Sequence, residues 1–208
     1  MGPCNSLVHN PQTGVECLGH SNGVVSFWTP SSGSEAAARV LAHPGPITAL
    51  AADRSGQYLV TGGVDGTVKV WDVRMLKKVF TYHVPSLRPV TSLALSECGM
   101  LAFSFGDQVT VFKDALTSKQ SHPYMSHTLS AIHSRIATQS AVTLSTGSAS
   151  AAVLGSESLG THRSGLMSRS SYEVTTGKGG IRNLLFCPYQ DVLALGHGAG
   201  VSTIISLN

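Results

Sequence analysis

The chain has 208 residues, of which 42% are hydrophobic and only 12% are charged. This composition excludes a charged coiled coil, a histone-like tail and an acidic solvating region, because charged residues usually make up about 25% of a globular domain. Fourteen Lys and Arg residues against eleven Asp and Glu residues give a net charge of +3, too small to imply nucleic-acid binding by charge alone. The 22 glycines favour a turn-rich, all-β protein.

The cysteines and the hydropathy pattern bear on the compartment. Four cysteines form no CxxC pair and no zinc-type spacing, which favours a reducing compartment such as the cytosol or the nucleus. Cys98 and Cys187 stand in apolar contexts, and we expect them to be buried thiols. No run of about 18 apolar residues occurs, so we expect no membrane-spanning helix.

Four segments share a hairpin pattern, in which an apolar run, a tight glycine-containing turn and a β-branched run follow one another. In chain order they are 18–28, 61–71, 104–112 and 195–205. The last aromatic or apolar position recurs at 28, 71, 112 and 205. A period of about 40–45 residues with four strands per repeat is typical of a propeller blade.

The second repeat has the fullest pattern. Ala42-His43 precedes three strand-like runs, 47–51, 58–61 and 67–70, and Trp71-Asp72 ends the last of them. This repeat resembles the WD-repeat family of β-propellers. The resemblance implies a buried hydrogen-bond chain of a histidine, a hydroxyl, a turn aspartate and a tryptophan. The matching residues are His43, Thr61, Asp65 and Trp71.

The third repeat departs from this pattern. It offers His83, Ser104 and Asp107, but Phe112 stands where the tryptophan is expected and has no N–H to donate.

The first and fourth repeats depart in other ways. The first keeps Trp28 but has Leu18 where a hydroxyl is expected, and the fourth has Ala199 and Ile205, so we expect no polar chain there. Such divergence is tolerated because packing between neighbouring blades supplies most of the stability.

The interval between the third and fourth repeats is too long for one blade. Residues 134–178 include eleven Ser, six Thr, five Ala and five Gly, and contain no hairpin turn between apolar runs. Such a segment buries too little apolar surface to offset its ordering entropy. We therefore predict blades over 1–131, a disordered insertion rich in Ser, Thr, Ala and Gly over 132–179, and a further blade over 180–208.

Three motifs of apparent chemical interest are better explained otherwise. Ser21 lies in a G-x-S-x-G match, but a strand-like run follows it where a nucleophile elbow requires a helix. Residues 155–160 have P-loop glycine spacing but lack the Lys-Ser/Thr pair. No cysteine or carboxylate accompanies His122, His127 and His133 at metal-ligand spacing. We expect no catalytic, cofactor or metal site, and no small-molecule substrate.

Three basic residues, Arg74, Lys77 and Lys78, follow the Trp-Asp pair, at the outer strand or the adjoining loop. Such a cluster is usually a solvated edge that discourages strand pairing. The alternative is a contact with phosphate or with an acidic partner.

A closer resemblance rests on three segments: 18–28, 123–127 and 186–197, the last reading Phe-Cys-Pro-Tyr-Gln-Asp-Val-Leu-Ala-Leu-Gly-His. They resemble the WD-repeat U3 small nucleolar RNA-associated proteins with a BING-type C-terminal domain. The resemblance implies a ring of about seven blades, of which this chain holds about four.

For function, the resemblance implies a non-enzymatic scaffold of the small-subunit processome. Such a scaffold acts in ribosome biogenesis and 18S pre-rRNA processing in the nucleolus, with other processome proteins, the U3 snoRNP and pre-rRNA as expected partners. The alternative is a propeller adaptor for a ubiquitin ligase or a signalling complex, because fold alone does not determine function.

Overall fold

The computed structural model describes residues 2–129, 180–188, 192–198 and 200–205. The predicted insertion over 132–179, the glycine-spaced segment 155–160 and His133 lie outside these residues. Within the described part, no helix is long and apolar enough to cross a membrane.

The described strands form four antiparallel sheets that follow one another along the chain. The first two sheets consist of β1 (Cys4–His9), β2 (Glu16–His20), β3 (Val24–Trp28), β4 (Ala38–Leu41), β5 (Ile47–Ala52), β6 (Tyr58–Gly63), β7 (Thr67–Asp72) and β8 (Lys77–His83). A 3-10 turn (Pro85–Leu87) then leads to β9 (Ser92–Leu95), β10 (Leu101–Phe105), β11 (Gln108–Phe112) and β12 (Met125–Thr128). The fourth described sheet consists of β13 (Asn183–Phe186), β14 (Val192–His197) and β15 (Gly200–Ile205).

The sheets are arranged radially. Their first strands, β1, β5, β9 and β13, pack against one another in that order, so each sheet has its first strand innermost. Outer strands are more exposed, as in β8, where Lys77, Lys78 and Val79 all face solvent. This is the blade arrangement of a β-propeller, and the predicted all-β propeller fold is confirmed for the four described sheets.

The core consists of apolar layers between neighbouring blades. The first layer joins Cys17 and Phe27 of the first blade to Ile47 and Leu59 of the second. Two further layers lie between the second and third blades and between the third and fourth. Because each fully buried Leu, Ile or Phe side chain contributes about 1.5–3 kcal/mol, these layers supply most of the stabilisation.

Two expectations about single positions are wrong. Cys98 and Cys187 are exposed, because Cys98 lies in the tight turn between β9 and β10 and Cys187 follows the end of β13. The fourth hairpin has a shorter turn than the second, with His197 opposite Gly200. By register, Ile204 and not Ile205 therefore takes the position that Trp71 has in the second blade, and Ile204 packs against the core layer.

Candidate functional site

His43 is positioned by the hairpin turn of the first blade. The Gly23 carbonyl oxygen accepts hydrogen bonds from the backbone N–H groups of Ala42 (2.9 Å) and His43 (3.1 Å). Gly23 has a φ of +79°, and a Cβ atom there would come within 1.9 Å of the His43 carbonyl oxygen. Only glycine fits this turn, which fixes the loop carrying His43 against the neighbouring blade.

The four residues matched in the second repeat lie in one hydrogen-bonded chain. The Trp71 Nε1–H donates to Thr61 Oγ1 at 3.1 Å, and His43 Nε2 lies 2.8 Å from the same oxygen. On its other side, His43 Nδ1 lies 3.1 Å from both carboxylate oxygens of Asp65. The Thr67 hydroxyl donates to Asp65 Oδ2 at 2.8 Å. A neutral imidazole that donates from Nδ1 and accepts at Nε2 satisfies every member.

Burial and the hydrogen bonds shift the pKa values of the two titratable members. Burial lowers the pKa of His43, and the adjacent Asp65 carboxylate only partly opposes this shift. Burial acts to raise the pKa of Asp65, but the hydrogen bonds from His43 and Thr67 outweigh it, so the pKa is lowered. Both directions favour a neutral imidazole beside an ionised carboxylate.

This chain is suited to holding strands together. Its hydroxyl, imidazole and carboxylate have the composition of a hydrolase triad, but Thr61 is 0% exposed and His43 is 1% exposed. A nucleophilic hydroxyl must reach its substrate, and Thr61 Oγ1 is enclosed by the imidazole and the indole. We therefore interpret this hydrogen-bonded chain as a rigid link that joins the β4–β5 loop to β6 and to the C-terminal end of β7.

The first blade has a different polar chain, which contradicts the expectation that Leu18 leaves the tryptophan without a hydroxyl. Ser26, which pairs with Leu18 across the strands, supplies it. Trp28 Nε1–H donates to Ser26 Oγ at 2.9 Å, and His20 Nε2 lies 2.7 Å from that oxygen. His20 Nδ1 lies 2.8 Å from the carbonyl oxygen of Gly2.

The fourth blade also contains a polar pair, so the expectation that no polar chain forms there is wrong. His197 Nε2 lies 2.9 Å from Ser202 Oγ. Ser202 pairs with Leu195, as Ser26 pairs with Leu18. The first and fourth blades thus share a histidine at the end of the second strand and a serine on the third.

In the third blade, the residues expected to form a chain do not come together. His83 is exposed, and Ser104 is hydrogen-bonded to Thr91 at 2.8 Å. Asp107 is instead paired with Arg88, at 3.6 Å between Nη1 and Oδ1. The Arg88 guanidinium also lies 6.0 Å from the ring centroid of Phe105.

The residue at one strand position determines how the space before the hairpin turn is filled in each of the four blades. It is the last residue of the second strand, occupied by His20, Gly63, Phe105 and His197. At Gly63 a Cβ atom would come within 2.6 Å of His43 Nδ1, so the glycine leaves room for a ring from the preceding loop. In the other blades the strand supplies its own ring. A ring-or-glycine pattern before each turn is the sequence signal that could have identified these residues.

The basic residues occupy an exposed hairpin. Arg74 lies in the turn between β7 and the outer strand, and Lys77 and Lys78 begin β8. All three are exposed, and within the described residues none forms an ion pair.

The other motifs lie apart from this site. Ser21 is in the turn between two strands, as predicted, and not before a helix. His122 is exposed, and the described part of the chain contains no cluster of three or more metal-ligating side chains.

Comparisons with known proteins agree with this architecture. The family model described as "WD domain, G-beta repeat" matches residues 35–72, which span the His43–Trp71 chain. The crystal structure of the mitotic checkpoint complex contains a chain similar in fold, with a TM-score of 0.64 and 16% identity, covering 98% of this chain and 48% of that one. The chain thus has a β-propeller fold and contains a WD-type repeat over residues 35–72.

Two curated relatives are similar to this chain over nearly its whole length. The chain is 34% identical to U3 small nucleolar RNA-associated protein 7 of Saccharomyces cerevisiae, over 98% of this chain and 31% of the relative. It is 28% identical to WD repeat-containing protein 46 of Homo sapiens, over 98% of this chain and 26% of the relative. The chain thus spans about a quarter to a third of the length of these relatives.

Proposed function

We propose that this protein is a non-enzymatic scaffold subunit in ribosome biogenesis, acting in assembly of the small-subunit processome and in 18S pre-rRNA processing. The observation that carries the proposal is the 34% identity, over nearly the whole chain, to a protein named for its association with U3 small nucleolar RNA. The proposed partners are other processome proteins, the U3 snoRNP and pre-rRNA, and the proposed location is the nucleolus.

The architecture is suited to such a role. Hydrogen-bond chains and apolar layers hold each blade against its neighbour, so the exposed turns are presented at fixed positions. A rigid surface made of several independent turns can contact several partners at once, which is what assembly of a large particle requires. No step of this role needs a catalytic group, a cofactor or a metal ion.

Affinity purification of the tagged chain from cells, followed by quantification of co-purifying RNA and protein, tests the proposal. We expect enrichment of U3 small nucleolar RNA relative to a spliceosomal small nuclear RNA of similar size. The matched control is Gly23→Val, which keeps the chain length but cannot fit the turn beside His43. Enrichment of ubiquitin-ligase or signalling subunits without U3 RNA would contradict the proposal and favour the adaptor function.

A further inference from the structure

The turn that joins β7 to β8 contains a leucine in an unfavourable backbone conformation. Leu76 has a φ of +50°, in the left-handed region that suits glycine and disfavours residues with a Cβ atom. The same turn of the first blade has Gly33 at that position, five residues after its tryptophan, with a φ of +62°. The second blade therefore tolerates a strained leucine where its neighbour has the favourable residue.

Strain of this kind persists where the surrounding structure or a function retains it. Leu76 is 38% exposed, Met75 beside it is 73% exposed, and Val79 on the adjoining strand is 40% exposed. Together with Val40 and Trp71, Leu76 also lines a small apolar gap between the first two blades. The turn thus presents apolar side chains to solvent.

Positive charge surrounds these apolar side chains. Arg74, Lys77 and Lys78 are exposed, and their only acidic neighbour in the hairpin is Asp72. The Asp72 Oδ1 atom already accepts hydrogen bonds from the backbone N–H groups of Arg74 (2.8 Å) and Met75 (3.1 Å). Within the described residues none of the three cations forms an ion pair, so they remain available to an acidic partner. The corresponding turn of the first blade, residues 29–35, carries no cation.

We propose that residues 73–79, here called the β7–β8 tip, form a docking surface for an acidic protein segment that carries an apolar anchor residue. Exposed methionine adapts to different apolar partners, and the flanking cations select acidic ones. Bare phosphates would not require exposed Met75 and Leu76, and the tip has no aromatic side chain on which a base could stack. The inference deepens the proposed scaffold role and rests on it only in assuming a protein partner.

Fluorescence anisotropy with the full chain and three labelled probes tests the docking surface. The probes are a 15-residue Asp/Glu-rich peptide with two leucines, the same peptide with both leucines replaced by serine, and a 15-nucleotide single-stranded RNA. We expect the first probe to bind most tightly. Removing one apolar side chain from the β7–β8 tip should then weaken the binding of this probe by about tenfold, a typical loss for an interface hot spot.

The decisive variant is Leu76→Gly, because docking and packing roles predict opposite results. If Leu76 is retained for docking, the variant binds the leucine peptide about tenfold more weakly while its melting temperature stays the same or rises, since left-handed strain is relieved. The double variant Lys77→Glu/Lys78→Glu should also lose binding. Leu41→Ser, which removes another exposed leucine from an outer strand, should bind normally.

Three outcomes would overturn the proposal: no saturable binding of the leucine peptide, tighter binding of the RNA, or a Leu76→Gly variant that melts lower and binds as the wild type does. Co-purification of U3 RNA with the Leu76→Gly variant, measured in parallel, separates failure of this surface from failure of the proposed function.

Discussion

The second and third blades solve the same packing problem with different chemistry. Each blade packs one face against the preceding blade. Side chains on that face must fill the space beside the end of the second strand. In the second blade a polar chain runs from Asp65 through His43 and Thr61 to Trp71. In the third blade, Phe103 and Phe112 stack with their ring centroids 5.7 Å apart, and Phe105 lies 6.2 Å from Phe103.

Ring volume is therefore the shared requirement, and the hydrogen-bond chain is one way to meet it. An imidazole or an indole brings polar atoms that must find partners when buried, so the second blade needs a hydroxyl and a carboxylate as well. A phenyl ring needs none. The phenylalanine cluster of the third blade therefore depends on close packing. The hydrogen-bonded chain of the second blade depends on complete pairing of its members.

The largest loss of stability should come from disrupting the phenylalanine cluster of the third blade. Phe103 is 1% exposed and contacts the rings of Phe105 and Phe112. We expect Phe103→Ala to lower the free energy of unfolding by about 3–5 kcal/mol, because it loses buried apolar surface and leaves a cavity. Chemical denaturation followed by far-UV circular dichroism measures this change. A loss below about 1 kcal/mol would show that the third blade does not depend on this cluster.

A smaller effect should follow from breaking the polar chain. Trp71→Phe retains most of the ring but removes the N–H that donates to Thr61 Oγ1. We expect a loss of about 1–3 kcal/mol, because a buried hydroxyl is left with an incomplete set of partners. The same denaturation experiment applies, with Thr61→Val as the companion variant that removes the acceptor. An unchanged unfolding midpoint in Trp71→Phe would contradict a stabilising role for the chain.

The sequence predicted the blades well because tight turns and alternating strands are local signals. Asp65-Gly66 between two β-branched runs indicates a hairpin without any tertiary information, and the structure has β6 and β7 there. The matched repeat likewise named His43, Thr61, Asp65 and Trp71, each of which the structure places within hydrogen-bond distance of the next in one chain.

The polar pair of the fourth blade could not be assigned in this way, because it depends on strand register. A one-residue change in turn length moves every following side chain to the opposite face of the sheet. The fourth hairpin has such a shorter turn, so Ser202 rather than Thr203 takes the place corresponding to Ser26. Arg88 was missed for another reason, since it reaches Asp107 from a loop whose path no local pattern describes.

A third prediction concerns the shorter chain of the first blade. Ser26→Ala removes the oxygen that receives the Trp28 N–H and contacts His20. We expect a loss of about 1 kcal/mol, at the low end of the range for a hydrogen-bonded group, because Trp28 is only half-buried and water can replace part of the interaction. Thermal unfolding of Ser26→Ala beside Ser26→Thr, which keeps the hydroxyl, measures it. Equal losses in both variants would point to shape rather than hydrogen bonding.

The smallest effect we expect is a pH dependence that arises only in the hydrogen-bonded chain of the second blade. Burial lowers the pKa of His43 below its ordinary value of 6.5, so the unfolded chain binds a proton at this residue more readily than the folded chain does. The stabilisation from a neutral His43 is therefore fully present above pH 6.5 and is lost as the pH falls through the lowered pKa of the folded state. The pKa of Asp65 is also lowered, but from 3.8, so its contribution is lost only in stronger acid.

Comparing the wild type with His43→Gln between pH 8 and pH 5 isolates this contribution, because the two proteins differ in no other titratable group. The stability difference between the two should shrink as the pH falls. The matched control is the difference between the wild type and Phe103→Ala, which should stay constant because that substitution involves no titrating group. If the His43→Gln difference instead grew on acidification, the folded protein would be holding a protonated imidazole against Asp65. The polar chain would then be an ion pair, and the second blade would rely on charge where the third relies on packing.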